Sequence, residues 1–394
     1  MENQVASFSL MKRINTAAVL RTVRAHGAAS RAQIAKETGL TPATVTNITA
    51  RLIGAGFLCE ADRGESTGGR KPVLLKFSPG CCRIAAAYFG PGAVSLAVAD
   101  FAGQLLWYQE QVLLPGDTVR QCIDFVDGKL RRFPEFDKVA ALGVAVHGLV
   151  DAENGISIFA PNLGWEGVPV RGLLEARLDM PVYVENDVRL MTLAELWYGA
   201  AKKLTNFAFV YVGAGIGGAL VIDGKLYRGS GQGAGEIGHT TIYADGPLCS
   251  CGNHGCLQAF AGEGALLQAL HAAIAAGERT CLQAGATAAD VLAAAQAGDG
   301  LAVRLLADES QYLGIGIANL SNLVNPEAVV FAAGVPGLAD YLLPSVRREA
   351  GRRMMGGLNA DIRASALDGM GSLRGAVALG TDHLFDNPYD FLRV

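Results

Sequence analysis

Three cysteines and a histidine fall within one short stretch: His239, then Cys249, Cys251 and Cys256. Three soft thiolates and an imidazole form a Cys₃His donor set, which closes a tetrahedral shell around Zn²⁺ and leaves no position open for substrate. The chemistry of such a site is structural. The same residues also admit reduced thiols clustered by chance, or a disulfide. The spacing is not that of a CxxC knuckle, so the generic zinc-finger expectation does not apply.

A second group stands at a strand end. Val182-Tyr183-Val184 reads as a strand that runs into Glu185-Asn186-Asp187, and Leu190, Leu193, Ala194 and Leu196 then follow helical spacing. Polar groups at the carboxyl end of a strand, before a helix, sit where α/β sheets bind ligands. Asn and Asp together offer the donors and acceptors that vicinal sugar hydroxyls require. Asn186-Asp187 as a plain helix cap is the other reading. Gly213-Ala214-Gly215-Ile216-Gly217-Gly218 is a literal GxGxxG. The residues after it read as a strand ending in a hairpin turn rather than as a helix, so a dinucleotide-binding reading fails its own context.

Glu236-Ile237-Gly238-His239, followed by Cys-x-Cys-Gly-x-x-Gly-Cys-Leu from Cys249 to Leu257, resembles the signature of the ROK family of repressors, open reading frames and sugar kinases. One position departs: the family's usual Glu after Cys-Leu is Gln258. The resemblance implies a sugar pocket lined by Asn162, Asn186, Asp187, Glu236, His239 and Gln258. In it His239 directs one ring nitrogen to zinc and the other to the sugar, as metallation of one imidazole nitrogen allows. It also implies Asp187 as the position of a catalytic base and the Gly213–Gly218 hairpin as a phosphate loop. The family's kinases open the domain with Asp-x-Gly-x-Thr. The matching stretch here is Tyr88-Phe89-Gly90-Pro91-Gly92-Ala93, where Tyr stands for Asp and no Thr is in place. Phosphoryl transfer depends on electrostatic positioning of metal and phosphate, and loss of that carboxylate removes much of it. The expectation is a sugar sensor without catalysis, the alternative being an ATP-dependent sugar kinase.

These groups need elements to hold them. The chain has 394 residues, with 51% hydrophobic and 18% charged, which fits two or three packed domains and argues against disorder. Its apolar runs are strand-sized and no secretory leader is legible, so the expected compartment is the cytoplasm, where eight cysteines stay reduced. The net charge of −4 is unevenly spread: residues 1–77 carry eleven Lys/Arg against five Asp/Glu, while the remainder carries 22 against 32. A basic module on an acidic body predicts a polyanion at one end.

Residues 14–26 have the pattern of an amphipathic helix, with Ile14, Val19, Leu20 and Val23 on one face. Ser30 caps a second helix, Arg31–Thr38, that Gly39 terminates. Thr41-Pro42 opens a third that runs to about Ile53. This is a helix-turn-helix. Its candidate DNA contacts are Ser30, Thr41, Ala43, Thr44, Thr46, Asn47 and Arg51, short polar groups and an Arg suited to base edges and phosphates. Phe57–Glu60 and Val73–Phe77 form a hairpin, which makes the module a winged helix. Arg70 and Lys71 lie at its tip, where Arg70 either enters a narrow minor groove or is a solvated loop charge. A protein-binding role for the module is the rival that the basic excess argues against. From residue 82 successive strands, a helix over 118–132 and the strand Val139–Val146 open an actin-like, ribonuclease H-like α/β fold. Phe159–Trp165 reads as a loop.

The expected organisation is therefore a winged helix-turn-helix over 1–80 and a two-lobed sugar-sensing domain over 81–394, with a zinc loop at 239–256. The expected partners are double-stranded operator DNA, a sugar or sugar phosphate, a second copy as dimer or dimer of dimers, and by resemblance a sugar-transport protein. The expected function is a sugar-responsive transcriptional repressor.

Overall fold

The computed structural model describes residues 8–63, 72–78, 80–114, 116–356, 358 and 360–387. They group into two compact units, Met1–Leu190 with Ser372–Val394, and Met191–Gly371. Among the described residues no helix is long and apolar enough to cross a membrane.

The first unit opens with α1 (Phe8–His26), β1 (Ala29–Ser30), α2 (Arg31–Thr38) and α3 (Pro42–Gly54), then β2 (Leu58–Arg63) and β3 (Val73–Phe77). The strands form a small antiparallel sheet in the order β1-β3-β2, so the module is a winged helix-turn-helix. Local chemistry places each helix end. Ser30 and Thr41 accept hydrogen bonds from Gln33 N and Thr44 N, and Gly39 closes α2 in the left-handed region at φ 69°. Val19, Leu20 and Val23 are buried with Ile34, Val45, Ile48 and Leu52. Ile14 does not join them: it is 56% exposed, because the buried stripe of α1 begins only at Thr16.

β4 (Arg83–Gly90), β5 (Ala93–Ala99), β6 (Leu105–Val112), α4 (Val119–Leu130) and β7 (Val139–Val146) follow. Then come β8 (Leu149–Asp151), β9 (Ile156–Ala160), β10 (Trp165–Val168), α5 (Val170–Leu178), β11 (Val182–Asn186) and α6 (Asp187–Tyr198). The stretch Phe159–Trp165, expected as a loop, is instead the meeting of two strands. Trp165 pairs with Ala160 and Glu166 with Phe159, across a single 3₁₀ turn at Pro161–Leu163. The pairing is what a local reading misses, because Phe159 is half-exposed and the alternation is short.

The second unit contains β12 (Phe207–Val212), β13 (Ile216–Ile222), β14 (Lys225–Tyr227), α7 (Glu263–Ala275), α8 (Ala288–Gln296), α9 (Gly300–Val324), β15 (Ala328–Ala333), α10 (Leu338–Gly351) and β16 (Asp361–Ala364). α11 (Gly371–Asp386) then returns the chain to the first unit.

The two large sheets share one topology. The first has the order β11-β7-β4-β5-β6 and the second β16-β15-β12-β13-β14. In each, the first three strands form an antiparallel meander and the next two add in parallel beside the first. Each sheet has its own core, with Phe89, Leu96, Val126, Val144 and Leu174 in one and Val210, Leu270, Leu306, Leu313 and Phe331 in the other. This duplicated, ribonuclease H-like architecture is that of a two-lobed sugar kinase-like fold, α/β in class, behind a winged helix.

Packing inside the first unit is close. A Cβ on Gly143 of β7 would lie 1.9 Å from Ala376 O, and one on Gly375 would lie 1.9 Å from Leu190 O. α11 therefore rests backbone to backbone on β7 and on the start of α6. Its far face meets the winged helix: Arg21 of α1 bonds Asp382 at 2.9 Å and Asp386 at 2.7 Å. Phe385 stacks on Phe77 of the wing, and Phe101 touches both.

Candidate ligand cluster and metal centre

β7 and β11 are parallel neighbours whose carboxyl ends come out together. Gly148, just past β7, has φ 111°, and a Cβ there would lie 2.4 Å from Phe159 O, so only glycine lets this turn run against β9. The result is a polar cluster built from Tyr88, His147, Asn162, Asn186 and Asp187.

Asp187 is 3% exposed and its two oxygens take four donors. Oδ2 accepts from His147 Nδ1 at 2.9 Å and from the Tyr88 hydroxyl at 3.3 Å. Oδ1 accepts from Asn186 Nδ2 at 3.1 Å and from Val188 N at 2.9 Å. Asn186 is also fully engaged: Oδ1 caps α6 by accepting from Arg189 N, and Nδ2 donates to Gly148 O. The capping role weighed for Asn186 is thus realised in the backbone. Behind them Glu185 and Arg189 form a buried ion pair at 3.2 Å, and Glu185 Oε1 also accepts from Asn186 N. A buried pair of this kind costs desolvation, and its return is a fixed geometry for the residues it brackets.

Asn162 sits on the exposed 3₁₀ turn with Nδ2 3.2 Å from His147 Nε2. The structure therefore brings Asn162, Asn186 and Asp187 together, through a residue that was not among the sequence candidates. The hydrogen bond to Asp187 raises the His147 imidazole above its ordinary 6.5, against an opposing effect of burial. A signal for His147 did exist: it ends a parallel strand, as Asn186 does. Tyr88 was noted only as a substitution, and its hydroxyl proves to be a partner of Asp187.

In the second unit Glu236 precedes and His239 ends a 3₁₀ turn, Ile237–His239, pressed on the glycine hairpin between β12 and β13. A Cβ on Gly238 would lie 2.0 Å from Ile216 O. Glu236 is exposed. Gln258 donates to Ser250 Oγ at 3.0 Å and reaches Gly215 of the same hairpin.

The nitrogen of His239 and the sulfurs of Cys249, Cys251 and Cys256 all lie within 4.8 Å of one another. Cys249 Sγ to His239 Nδ1 and Cys251 Sγ to Cys256 Sγ are both 3.7 Å. Tetrahedral Zn–S bonds of about 2.3 Å require sulfurs about 3.8 Å apart, and the two 3.7 Å pairs match that spacing. The donor chemistry agrees. Burial and the neighbouring sulfurs push the Cys256 thiol up to about 12, whereas hydrogen bonds from Cys251 and His239 overcome burial at Cys249 and hold it at about 6. Thiolates this close repel one another, and a divalent cation removes the repulsion. All eight cysteines are free, so the disulfide alternative is not taken.

Beside the hairpin, Val212, Gly213, Glu263, Leu266, Glu309 and Leu338 help to enclose a cavity of about 20 Å³. Glu309 Oε1 accepts from Gly262 N at 3.0 Å, while Oε2 is buried with no partner among the described residues. Burial raises the Glu309 carboxyl to about 7.

On the winged helix Thr41, Ala43, Thr46 and Asn47 are exposed, whereas Ser30, Thr44 and Arg51 are half-buried. The Ser30 and Thr41 hydroxyls are spent as helix caps, and Thr46 Oγ1 donates to Pro42 O. Arg70 and Lys71 lie outside the described residues.

Comparison with known proteins gives these observations a context. The MarR family profile matches residues 14–59 and the ROK family profile residues 87–383. The chain is 30% identical to the xylose repressor of Caldicellulosiruptor bescii over 98% of its length and 99% of the relative's. It is 28% identical to the xylose repressor of Bacillus subtilis, covering 97% and 98%. It is 30% identical to the N-acetylglucosamine repressor of Escherichia coli, covering 87% and 86%. Among solved structures it superposes on a ROK family transcriptional regulator described as a homologue of the E. coli MLC protein, with TM-score 0.86, 27% identity and coverage of 98% and 100%. A ROK family glucokinase from Streptomyces griseus, solved with glucose and AMPPNP, gives TM-score 0.69 and 28% identity over 76% of this chain and 99% of its own. The profile match spans three quarters of the sequence, and the chain belongs to the ROK family.

Proposed function

We propose that this chain is a transcriptional repressor of sugar-utilisation genes, with a winged helix-turn-helix over 1–80 and a sugar-sensing domain over 81–394 that does not phosphorylate its ligand. The observation that carries it is the Tyr88 hydroxyl 3.3 Å from Asp187 Oδ2. A phenol stands where the family's kinases keep a metal-positioning carboxylate, and it donates to the carboxylate that would serve as base. The oxygens of that carboxylate already take four protein donors, and phosphoryl transfer lacks its electrostatic support. The likeness to repressors along nearly the whole chain supports the same reading.

The sugar would be met by Asn162, Asn186, Asp187, Glu236, His239 and Gln258. His239, Cys249, Cys251 and Cys256 would hold Zn²⁺, which supplies a cross-link that fixes the segment carrying Glu236. Thr41, Ala43, Thr44, Thr46, Asn47 and Arg51, with Ser30, Arg70 and Lys71, would face operator DNA. A dimer would present two recognition helices to a near-palindromic site. Ligand binding shifts the operator affinity by as much as the ligand discriminates between the bound and free states.

The test is binding of the full-length protein to its own upstream DNA, with and without D-xylose, D-glucose, N-acetylglucosamine and their phosphates. Release by one of them establishes the repressor and names the effector class. DNA binding that no sugar alters points to a protein partner, such as a transport protein, as the signal. ATP turnover with a hexose would restore the kinase reading, toward which the likeness to a glucokinase leans.

A further inference from the structure

The buried part of the cluster is closed. Asp187 and Asn186 are hydrogen-bonded to protein groups that a sugar hydroxyl would have to displace, and neither is exposed. The polar atoms left facing outward belong to His147, whose side chain is 29% exposed, and to Asn162, which is exposed.

Geometry fixes the tautomer of His147. Nδ1 points at the Asp187 carboxylate, which can only accept, so Nδ1 carries its proton at either charge. Nε2 is then the atom that titrates, and it faces the Asn162 amide at 3.2 Å. When Nε2 is bare it accepts from the amide NH₂, and Asn162 turns its oxygen to the solvent side. When Nε2 is protonated it donates, the amide oxygen turns inward, and Asn162 presents NH₂ instead. One proton on one ring thus reverses the polarity of the amide that an incoming hydroxyl meets.

The surroundings of the ring carry a net negative charge, that of Asp187. From β4 the Tyr88 phenol faces the same carboxylate oxygen, and from α6 come Asp187 and, behind it, Arg189. Arg189 is 3% exposed and paired with Glu185, so it offers no charge to a ligand. A phosphate here would lie near Asp187 with only an imidazole to meet it. Hydroxyls of a neutral polyol fit amides, a phenol and an imidazole.

Resting on the sugar-site reading above, we infer that His147 is a specificity-determining positioning residue, which sets the hydrogen-bonding polarity of Asn162 toward a neutral, unphosphorylated sugar. The hydrogen bond to Asp187 raises the His147 imidazole above the ordinary 6.5, so the change of polarity lies on the alkaline side of a free imidazole.

The experiment is calorimetric titration of the full chain at pH 6 and pH 8 with D-xylose, D-glucose, N-acetylglucosamine and N-acetylglucosamine 6-phosphate. It is repeated for His147→Gln and Asn162→Ala, each checked for a native melting transition. The expected result is a neutral sugar whose Kd changes about tenfold between the two pH values, the cost of one mismatched hydrogen bond. Both variants should bind with a flat pH profile, Asn162→Ala doing so with His147 intact. A wild-type pH profile retained in either variant overturns the role of His147 and leaves the sugar site standing. A preference for the 6-phosphate overturns the ligand class. Absence of binding by the wild type at both pH values removes the sugar reading, and this inference with it.

Discussion

His383 lies flat on Tyr183, ring centroids 3.9 Å apart and planes 2° from parallel. Tyr183 belongs to β11, three residues before Asn186, and His383 sits beside the Asp382 that holds Arg21 of α1. One helix therefore touches both the strand that carries the ligand cluster and the helix that opens the DNA-binding module. Removing the ring in His383→Ala is expected to cost about 1 kcal/mol of stability beyond lost area, in line with aromatic pairs generally. For the proposed repressor, the ratio of operator Kd with and without sugar should also fall toward one. Urea melts and DNA titrations measure the two effects separately.

Arg21→Ala removes two half-exposed ion pairs. Such pairs contribute little, so global stability should drop by less than about 1 kcal/mol. Amide exchange in α1 should nevertheless speed up, because the docking of α1 on α11 loses two ion pairs and keeps the Arg13 contacts to Asp386 and Asn387. An unchanged exchange rate would place the docking in the Phe77–Phe385 stack and the Arg13 contacts.

Asp187→Asn replaces an oxygen that accepts from Tyr88 and His147 by a donor. Turned either way, the amide sets its NH₂ against one pair of donors, His147 and Tyr88 or Asn186 and Val188, and a buried hydrogen bond is lost. Sugar affinity should fall by about tenfold to a hundredfold, while DNA affinity without sugar stays within twofold. Parallel titrations with sugar and with operator DNA decide it.

Glu309 gives a pH dependence with an unusual sign. Its folded value of about 7 lies above the ordinary 4.5 of a glutamate, so the native state binds the extra proton between those values. Stability should decline as pH rises through that window, by up to about 3 kcal/mol, and level off above it. Glu309→Gln keeps an acceptor for Gly262 N and should flatten the decline. Denaturant midpoints at pH 5 and pH 8 for both proteins are the measurement.

Cys256→Ser takes one ligand from the His239, Cys249, Cys251 set. Metal analysis should find one equivalent of zinc in the wild type and none retained by the variant after dialysis against chelator. The melting temperature should fall in step, since a structural site contributes its binding energy to folding.

Much of this was legible in the sequence, for local reasons. Ser30, Gly39 and Thr41-Pro42 mark helix ends by side-chain chemistry that acts within three residues. The cysteines and His239 declare themselves by type. What escaped depends on distant pairing. Phe159 and Trp165 lie in strands only because Phe159 pairs with Glu166 and Trp165 with Ala160 across the Pro161–Leu163 turn, and β16 is defined by its parallel neighbour β15. His147 was passed over because it matters through Asp187, forty residues on. The repeated sheet order is invisible in residues that have diverged, although the backbone keeps it.

The return of α11 to the first unit sets an order of events at the ribosome. Residues 191–371 must all emerge before Ser372–Asp386 can fold against β7 and α6. At about 5–20 residues per second the nascent chain spends several seconds or more with α1 made and its anchor unmade. During that interval Arg21 lacks both aspartates and Phe77 lacks its stacking partner. The reading head is thus the earliest part synthesised and among the latest secured, so a chain truncated before α11 would carry a winged helix that keeps its own core but lacks the contacts to Asp382, Phe385 and Asp386.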